Sequence, residues 1–241
     1  MRITTWNCAG ALRKKIAMLH LTQPDIAIVP ECSKSVVQAL QHEGFSGFWS
    51  GGDDYVAKGL GVLWKEGWKL TRIGQPNADE SFDRWIVAFD VQGPENFTLI
   101  AVWSHNDQQG ICGYIRQIHR AFNAHPEWFT RGPVMVAGDF NSSGRWDKQC
   151  APENHAKLVR FLSDRGLVSA YHFMSGEEQN GKEKQPTFHQ TKDIEKPFHL
   201  DYIFLPRDWS SRIKGLEVGH HIQWLKYSDH CPITIELRSE P

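Results

Sequence analysis

The chain has 241 residues, of which 40% are hydrophobic and 12% aromatic, enough to form a packed core. The 27 Lys and Arg residues nearly balance the 28 Asp and Glu residues, which gives a formal net charge of −1. This balance argues against a protein that coats polyanions, but it is compatible with an enzyme that has a locally positive cleft. The length suits one large domain, and we expect a single domain over residues 1–241.

The five cysteines are widely spaced, form no CxxC motif and are odd in number. We therefore expect buried thiols in a reducing compartment, and neither a disulfide framework nor a zinc ribbon. The N-terminus has no apolar signal region, and no apolar run approaches the roughly 18 residues of a membrane span. Together these features predict a cytoplasmic protein.

Strand and helix patterns alternate over the first 44 residues. Alternating β-formers predict a first strand at residues 3–7, and apolar residues at helical spacing predict a helix at 11–21. The apolar run at 26–29 is typical of a buried strand. Ser33 can cap a second helix, which ends near Gly44.

The middle of the chain predicts a meander of mostly antiparallel strands. Five short runs of strand-forming residues lie at 45–49, 60–64, 68–73, 84–91 and 97–103. Turn residues separate several of these runs, at 51–54, 74–77 and 93–96.

Strand and helix patterns recur in the last half. We predict helices at 111–125 and 154–165, and strands at 134–137, 198–205 and 231–237. Most of the polar segment 175–196 is expected to form a long surface loop. Strand–helix units around a β-rich middle predict an α/β fold, a four-layer α/β/β/α sandwich of two packed mixed β-sheets flanked by helices.

Acidic, amide and histidine side chains lie where predicted strands end or begin, and loops at strand ends can bring distant residues to one site. These residues are Asn7, Glu31, Asp139, Asn141, Asp201, Asp229 and His230. Mg²⁺ prefers oxygen ligands such as carboxylates. Phosphoester hydrolysis also needs a polarised water and donors for the phosphate oxygens. The residue types therefore indicate a metal-dependent phosphoesterase.

Two segments carry the strongest signals. In Gly138-Asp139-Phe140-Asn141-Ser142, an acid and an amide two residues apart can point the same way from an extended chain. In Ser228-Asp229-His230-Cys231-Pro232-Ile233, an acid and a histidine open a strand. Asp139 is placed to orient or deprotonate water, and Asn7 and Asn141 offer amide donors. His230 can donate to a phosphate oxygen, with Asp201 fixing its tautomer.

Five motifs in order resemble the signature of the endonuclease/exonuclease/phosphatase superfamily over residues 3–237. They are Trp6-Asn7, Pro30-Glu31, Gly138-Asp139-Phe140-Asn141, Leu200-Asp201-Tyr202-Ile203-Phe204 and Ser228-Asp229-His230. That superfamily includes pancreatic-type deoxyribonucleases, apurinic endonucleases, sphingomyelinases, inositol-polyphosphate phosphatases and deadenylases. The resemblance implies an α/β/β/α sandwich and hydrolysis that depends on Mg²⁺ or Mn²⁺.

The resemblance also implies roles for individual residues. Glu31 resembles the metal carboxylate, Asn7 the amide that contacts the phosphate or orders the metal shell, and Asp229 a further metal-shell or water-orienting carboxylate. Asp139 resembles the residue that activates or positions water, and Asn141 the donor that stabilises the pentacovalent phosphorus.

His230 resembles the histidine that contacts phosphate, paired with Asp201. Two departures from the pattern stand out. Some relatives carry an extra acid at the position of Ala9, so that metal contact is absent here. The family's variable catalytic segment falls at residues 101–106, where His105 is the candidate that contacts phosphate.

Other polar and aromatic residues have ordinary explanations. We expect most of the remaining histidines at the surface or on helix faces, namely His20, His42, His119, His125, His155, His189, His220 and His221. His172 and His199 lie nearer the motifs and are candidates to line the cleft. Trp146 either packs in its loop or stacks on a base or sugar. Arg145 and Lys148 either meet phosphates or are solvated. Cys8 and Cys32 are packing residues, because a hard cation needs no thiolate.

Three functions remain open. The first is a phosphodiesterase that hydrolyses DNA or RNA by in-line attack of water. The second is the same chemistry on a small-molecule, inositol-phosphate or phospholipid ester, although no amphipathic basic helix indicates a membrane surface. The third is a catalytically inactive binding module, which retention of the full acid, amide and histidine set disfavours. We expect a monomer with no membrane insertion.

Overall fold

The structure is a computed structural model that describes residues 1–52, 58–74, 84–105, 110–176 and 180–239. The strands are β1 (Arg2–Thr5), β2 (Ile26–Cys32), β3 (Phe45–Gly51), β4 (Gly59–Lys65), β5 (Lys69–Arg72), β6 (Ile86–Gln92), β7 (Phe97–Trp103), β8 (Val134–Asp139), β9 (Leu167–Ser169), β10 (Phe188–His189), β11 (Pro197–Phe198), β12 (Asp201–Pro206), β13 (Ile213–Val218) and β14 (Ile233–Leu237). The α-helices are α1 (Ile16–Leu21), α2 (Lys34–Ala39), α3 (Ile111–Ala124), α4 (His155–Ser163), α5 (Ala170–Ser175) and α6 (His221–Trp224).

The strands form two six-stranded mixed sheets. Sheet one has the order β13-β14-β1-β2-β4-β3, and sheet two has the order β5-β6-β7-β8-β12-β9. Each sheet contains one parallel pair, β1 with β2 and β7 with β8, and its other neighbours are antiparallel. The short strands β10 and β11 form a separate hairpin.

The two sheets pack face to face because each has one apolar face directed at the other. In β14, Ile233, Ile235 and Leu237 enter the central core, and the residues between them point away, as period-two alternation requires. In β7 both faces are buried, since alternate residues enter the central core and the outer core of sheet two. That continuous apolar run is typical of a strand covered on both sides.

Helices cover the outer faces of both sheets. Ile115, Ile118 and Phe122 of α3 recur at helical spacing and pack with α4 on sheet two. Leu19 of α1 and Val37 of α2 pack on sheet one. The predicted α/β/β/α sandwich is therefore confirmed.

Most predicted elements are present with shifted ends, but two predictions were wrong. The middle strands do not form one meander, because the turn around Gly67 carries the chain from β4 in sheet one to β5 in sheet two. Ser33 occupies the cap position of α2, but its side chain makes no capping hydrogen bond. Most of the described part of segment 175–196 lies outside strands and α-helices, in agreement with the predicted loop, although it also contains β10 and the buried residues Thr187 and His189. Parts of the predicted turns, at 53–54 and 75–77, lie outside the described residues.

The expectation that all five cysteines are thiols was wrong for one pair. Cys112 at the start of α3 and Cys150 ahead of α4 form a disulfide, with their Cα atoms 5.2 Å apart. The pair was missed because 38 residues separate the two cysteines and only the packing of α3 beside α4 brings them together. Cys8, Cys32 and Cys231 are free and buried. In the described part of the chain, no helix has the length and apolar character needed to cross a membrane.

Gly138 permits the close approach of β8 to β7. Its φ is +149°, and a Cβ atom there would lie 1.8 Å from the carbonyl oxygen of Val102. We expect Gly138→Ala to lower the free energy of unfolding by about 3 kcal/mol or more, from backbone strain and overpacking together. Gly67→Ala is the matched control, since Gly67 also has positive φ but faces open space. Urea unfolding of both variants measures the difference, and equal losses would contradict this interpretation.

Candidate active site

The candidate residues meet at one edge of the sandwich because the strands that carry them end or begin there. In sheet one, β1 and β2 are parallel, so Asn7 after β1 and Glu31 near the end of β2 lie at the same edge. In sheet two, β7 and β8 are parallel, so His105 after β7 and Asp139 at the end of β8 also lie together.

The antiparallel neighbours bring in the remaining residues. Asp201, the first residue of β12, pairs in register with Asp139. The start of β14 pairs with the end of β1, which places Asp229 and His230, just ahead of β14, at the same edge. The structure thus brings all eight predicted site residues to one end of the two sheets.

Asp139 lies at the centre of the arrangement and is fully buried. Its Oδ2 accepts hydrogen bonds from Nδ2 of Asn7, at 2.9 Å, and from Nδ2 of Asn141, at 3.1 Å. Its Oδ1 accepts from the backbone N–H of Asn141, at 2.9 Å. Asn141 adopts a left-handed φ of 45°, and its Nδ2 also donates to the carbonyl of Ser104 at 3.0 Å. These contacts fix the orientation of the carboxylate.

Asn7 connects the two sheets through its side chain. Its Nδ2 donates to Oε1 of Glu31 at 3.0 Å as well as to Asp139 in sheet two. Its Oδ1 accepts from the backbone N–H of Ala9 at 3.0 Å. The other carboxylate oxygen of Glu31, Oε2, lies 2.5 Å from Nζ of Lys58. Sequence reasoning did not identify Lys58 as a residue of the site.

His230 and Asp201 form a buried pair. Nδ1 of His230 lies 2.8 Å from Oδ2 of Asp201, so this nitrogen carries the proton that it donates to the carboxylate. Nε2 lies 3.9 Å from Oδ2 of Asp139. This separation leaves Nε2 facing the cavity, with a carboxylate close by.

Burial and neighbouring charge shift the pKa values of the site. Complete burial raises the pKa of Asp139 to about 7, although the positive charge of His230 opposes the shift. Burial alone would lower the pKa of His230, but the carboxylates of Asp201 and Asp139 outweigh it and raise that pKa to about 10. Burial likewise disfavours the charged form of Glu31, yet hydrogen bonds from Lys58 and Asn7 bring its pKa below the ordinary value. At neutral pH, His230 is therefore an imidazolium and Glu31 a carboxylate.

Two buried hydroxyl residues, to which the sequence assigned no role, hold the loops in place. The Ser228 hydroxyl donates to the carbonyl of Asn7 at 2.7 Å and accepts from the N–H of His230 at 3.0 Å. The Thr187 hydroxyl accepts from the N–H groups of Leu200 and Asp201, each at 3.0 Å. Ser228 opens the predicted Ser228-Asp229-His230 motif, whereas Thr187 lies in a polar segment in which no local signal pointed to it.

A cavity of about 550 Å³ opens over the site. Its lining residues are Glu31, Lys58, Trp103, Ser104, His105, Tyr114, Asn141, Phe188, Asp229 and His230. The predicted candidate His105 therefore faces the same cavity as His230. Its ring stacks on Trp85 at 4.8 Å between centroids, and the backbone N–H of His105 donates to Oε1 of Gln117 at 2.7 Å. Asn106, the last residue of the predicted catalytic segment, lies outside the described residues.

The potential metal ligands around the cavity suit a hard cation. Glu31 and Asp229 contribute carboxylate oxygens to its wall, whereas the buried thiols of Cys8 and Cys32 belong to the outer core of sheet one. Among the described residues, one trio has potential ligand atoms within 4.8 Å of one another, namely Asp139, Asp201 and His230. Because His230 is hydrogen-bonded to Asp201 and is cationic at neutral pH, we interpret this trio as an imidazolium between two carboxylates, hydrogen-bonded to Asp201 and 3.9 Å from Asp139.

The structure corrects several expectations for the other histidines. His119, His155 and His189 are buried, contrary to the prediction of surface positions, because each is covered by packed elements. His199 is buried beside Tyr171, and His172 lines a different cavity of about 420 Å³. Neither His172 nor His199 lines the cleft over Asp139, so that expectation was wrong.

Trp146 and Arg145 pack against the β10–β11 hairpin. The Trp146 ring stacks on Phe198 at 5.1 Å between centroids. The Arg145 guanidinium lies over the same ring and donates to the carbonyls of Gly181 and Pro197. For Trp146 the structure therefore favours packing over stacking on a base or sugar. Arg145 binds within the protein, an arrangement that neither alternative from sequence, phosphate contact or solvation, included.

The sandwich and the cluster at its edge define a class of hydrolases that act on phosphate esters. The chain belongs to the Endonuclease/Exonuclease/phosphatase family, whose sequence profile matches residues 4–230. The resemblance found from five motifs is thereby confirmed. No curated protein sequence matches the chain closely enough to count as a relative.

Solved structures with the same fold share little sequence with this chain. A 3′ phosphatase, NExo from Neisseria, bound to a product DNA hairpin, is 18% identical, with a TM-score of 0.70 and 99% of each chain covered. AP endonuclease LMAP from Leishmania major is 16% identical, with a TM-score of 0.76 and coverage of 100% of this chain and 88% of that one. The APE2 catalytic domain from Xenopus laevis is also 16% identical, with a TM-score of 0.76 and coverage of 100% and 93%.

Proposed function

We propose that the protein is a divalent-metal-dependent phosphodiesterase that hydrolyses nucleic acid by in-line attack of water on phosphorus. The observation that supports it best is the buried Asp139 carboxylate, held by two amides and facing the imidazolium of His230. A fixed base beside a fixed cationic donor is what attack of water on a phosphate ester needs.

Each residue has a definite task in this proposal. Asp139 accepts the proton of the attacking water, and its raised pKa makes it a stronger base than an ordinary aspartate. Asn7 and Asn141 keep the carboxylate oriented through their amide hydrogen bonds. Nε2 of His230 donates to a non-bridging phosphate oxygen, while Asp201 holds the opposite nitrogen. His105 contacts the phosphate from the side of sheet two.

Mg²⁺ or Mn²⁺ would be held by Glu31 and Asp229, with Asn7 ordering the surroundings of Glu31. When bound, such an ion neutralises charge on the phosphate. We expect EDTA to abolish hydrolysis and added Mg²⁺ or Mn²⁺ to restore it, measured with bis-p-nitrophenyl phosphate. Undiminished turnover in EDTA, after removal of bound metal by dialysis, would contradict the proposal.

DNA or RNA is the proposed substrate. One structural neighbour is described with a bound DNA hairpin, and two others are named for an AP endonuclease and an APE2 catalytic domain. The cavity over Asp139 also has aromatic walls from Trp103, Tyr114 and Phe188, which suit a sugar or a base. A phosphomonoesterase is the second candidate, since one neighbour is named as a 3′ phosphatase.

Matched substrates separate these candidates. Bis-p-nitrophenyl phosphate and p-nitrophenyl phosphate compare diester with monoester cleavage. One oligonucleotide duplex, prepared with a nick, an abasic site or a 3′-phosphate, then identifies the preferred nucleic-acid end or lesion. Cleavage of p-nitrophenyl phosphate with inertness on every oligonucleotide would favour a small-molecule, inositol-phosphate or phospholipid ester. Inertness on all esters with either metal would favour a catalytically inactive binding module.

Three further expectations belong to this proposal. We expect residues 1–241 to act as a single domain and the protein to be a monomer. A cytoplasmic location also stays a prediction, and the disulfide between Cys112 and Cys150 weighs against it, because disulfides are rare in reducing compartments.

A further inference from the structure

Lys58 places a positive charge inside the cavity, next to the carboxylate proposed to bind the metal. Its Nζ lies 2.5 Å from Oε2 of Glu31, whose Oε1 accepts from Asn7 at 3.0 Å. Both oxygens of this carboxylate therefore have a hydrogen-bond donor, one cationic and one neutral. Lys58 lines the same cavity as Asp229 and His230.

The fold builds this pair at an irregularity in sheet one. The register between β2 and β4 shifts between Val29 and Cys32, and Glu31 adopts a left-handed φ of 61°, which L residues rarely take. Such a bulge changes the direction in which a side chain at the end of a strand points. Cys32 pairs with Gly59, the first residue of β4, so Lys58 lies immediately ahead of the facing strand.

Trp49 fixes the backbone on both sides of the pair. Its Nε1 donates to the carbonyl of Cys32 at 3.0 Å, directly after Glu31. Its ring lies over Gly59, where an added Cβ would be 2.4 Å from the indole. Because Gly59 directly follows Lys58, the same indole braces the chain at the base of both charged side chains.

Lys58 differs from the second lysine near this loop. Nζ of Lys15 donates to the carbonyls of Cys8 and Gly10, at 2.5 and 2.9 Å, so Lys15 holds the backbone of the loop. Lys58 instead meets a carboxylate, and its side chain is 53% exposed. An exposed lysine has a flexible stem, so its ammonium can reach a second anion in the cavity.

We propose that Lys58 is an exchangeable cation of the site, which moves from Glu31 to the substrate phosphate when Glu31 binds a divalent ion. Two cations on one carboxylate oxygen repel each other, so the ammonium leaves Oε2 once Glu31 holds the ion. A phosphate oxygen is then the nearest anionic partner for Lys58. By linkage, phosphate that draws Lys58 away from Glu31 must also strengthen metal binding. This proposal rests on the proposed function for the nature of the anion.

Direct titration of the intact protein with Mn²⁺, without substrate, tests whether Lys58 competes with the divalent ion at Glu31. We expect Lys58→Met to bind Mn²⁺ at least about fivefold more tightly than the unsubstituted protein, because the competing charge is gone. Lys58→Arg, which keeps the charge, should stay close to the unsubstituted protein. Lys65→Met is the matched control, since it removes the same charge from the opposite end of β4. Equal or weaker Mn²⁺ binding by Lys58→Met would overturn the proposal.

Titration with inorganic phosphate in saturating Mn²⁺ tests whether the Lys58 ammonium then binds phosphate. We expect Lys58→Met to bind phosphate about tenfold more weakly, as for loss of a charge-assisted hydrogen bond, and Lys65→Met to bind it normally. Unchanged phosphate affinity in Lys58→Met would overturn the transfer of the ammonium to phosphate. Circular dichroism of each variant establishes that it is folded. Neither titration requires turnover, so a protein that cleaves no ester can still show the Lys58 effect, and an active protein can lack it.

Discussion

Asp139→Asn is expected to lower kcat/KM at least about 10²-fold, because it removes the group proposed to accept the proton of the attacking water. The substitution preserves the shape of the side chain but replaces an acceptor by a donor. Both oxygens of Asp139 now accept hydrogen bonds, from Asn7 and from the backbone and side chain of Asn141. One amide hydrogen of the new asparagine must therefore face another donor, which also disturbs the alignment of the site.

The control for this prediction is Asp90→Asn on β6. Asp90 is exposed and its carboxylate accepts from the side chain of Gln92, so the change removes the same charge away from the cavity. Steady-state hydrolysis of bis-p-nitrophenyl phosphate compares the variants, and urea unfolding checks that Asp139→Asn remains folded. A folded Asp139→Asn with a rate close to that of Asp90→Asn would show that the base is another residue.

The α/β/β/α sandwich could be predicted because its strands carry periodic apolar patterns and its helices are amphipathic. β7 and β14 illustrate the point, since their apolar residues match the faces that they bury. The division of the middle strands between two sheets could not be predicted. A short turn around Gly67 is compatible with a hairpin or with a crossing, and the packing of β5 beside β6 decides between them.

The acids of the site could be located because each follows or opens a strand in a recognisable motif. The residues that hold those acids and their loops in place could not be located from the sequence. Thr187 and Lys58 lie in segments whose local sequence resembles an ordinary polar loop or strand end. Ser228 lies in a recognised motif, but its hydrogen bond to Asn7 depends on a partner that is distant along the chain. Lys58 meets Glu31 across a bulge in β2, and a bulge depends on the register of two strands that no single segment specifies.

The burial of several histidines was also not predicted from the sequence. His155 and His199 pack around Tyr202, and His172 pairs with the nearly buried carboxylate of Glu183 at 3.3 Å. A buried histidine needs a hydrogen-bond partner, and these partners come from segments far apart in sequence. Composition predicts polar residues at the surface, so a buried polar cluster that forms only through tertiary packing cannot be predicted from the sequence.

His230→Ala is expected to lower kcat/KM about 10²-fold or more, because it removes the proposed donor to the phosphate oxygen. The same change leaves the fully buried carboxylate of Asp201 without its imidazolium, so the variant should also unfold more readily. His230→Gln is the informative companion. Its amide can still donate to Asp201 and fill much of the space, but it cannot supply a cationic donor to phosphate.

Asp201→Asn separates orientation from direct contact with the substrate. If Asp201 acts by holding Nδ1 of His230, its substitution should lower kcat/KM only while His230 is present. Asp201→Asn combined with His230→Gln should then be no slower than His230→Gln alone, since residues that act as a unit are not additive. Multiplied losses in the double variant would mean that Asp201 touches the reacting groups itself. Kinetics of the four proteins on bis-p-nitrophenyl phosphate, with melting temperatures alongside, decide between the two roles. Non-additivity is expected because the 2.8 Å bond between Nδ1 and Asp201 leaves Nε2, 3.9 Å from Asp139, as the ring nitrogen available to a phosphate.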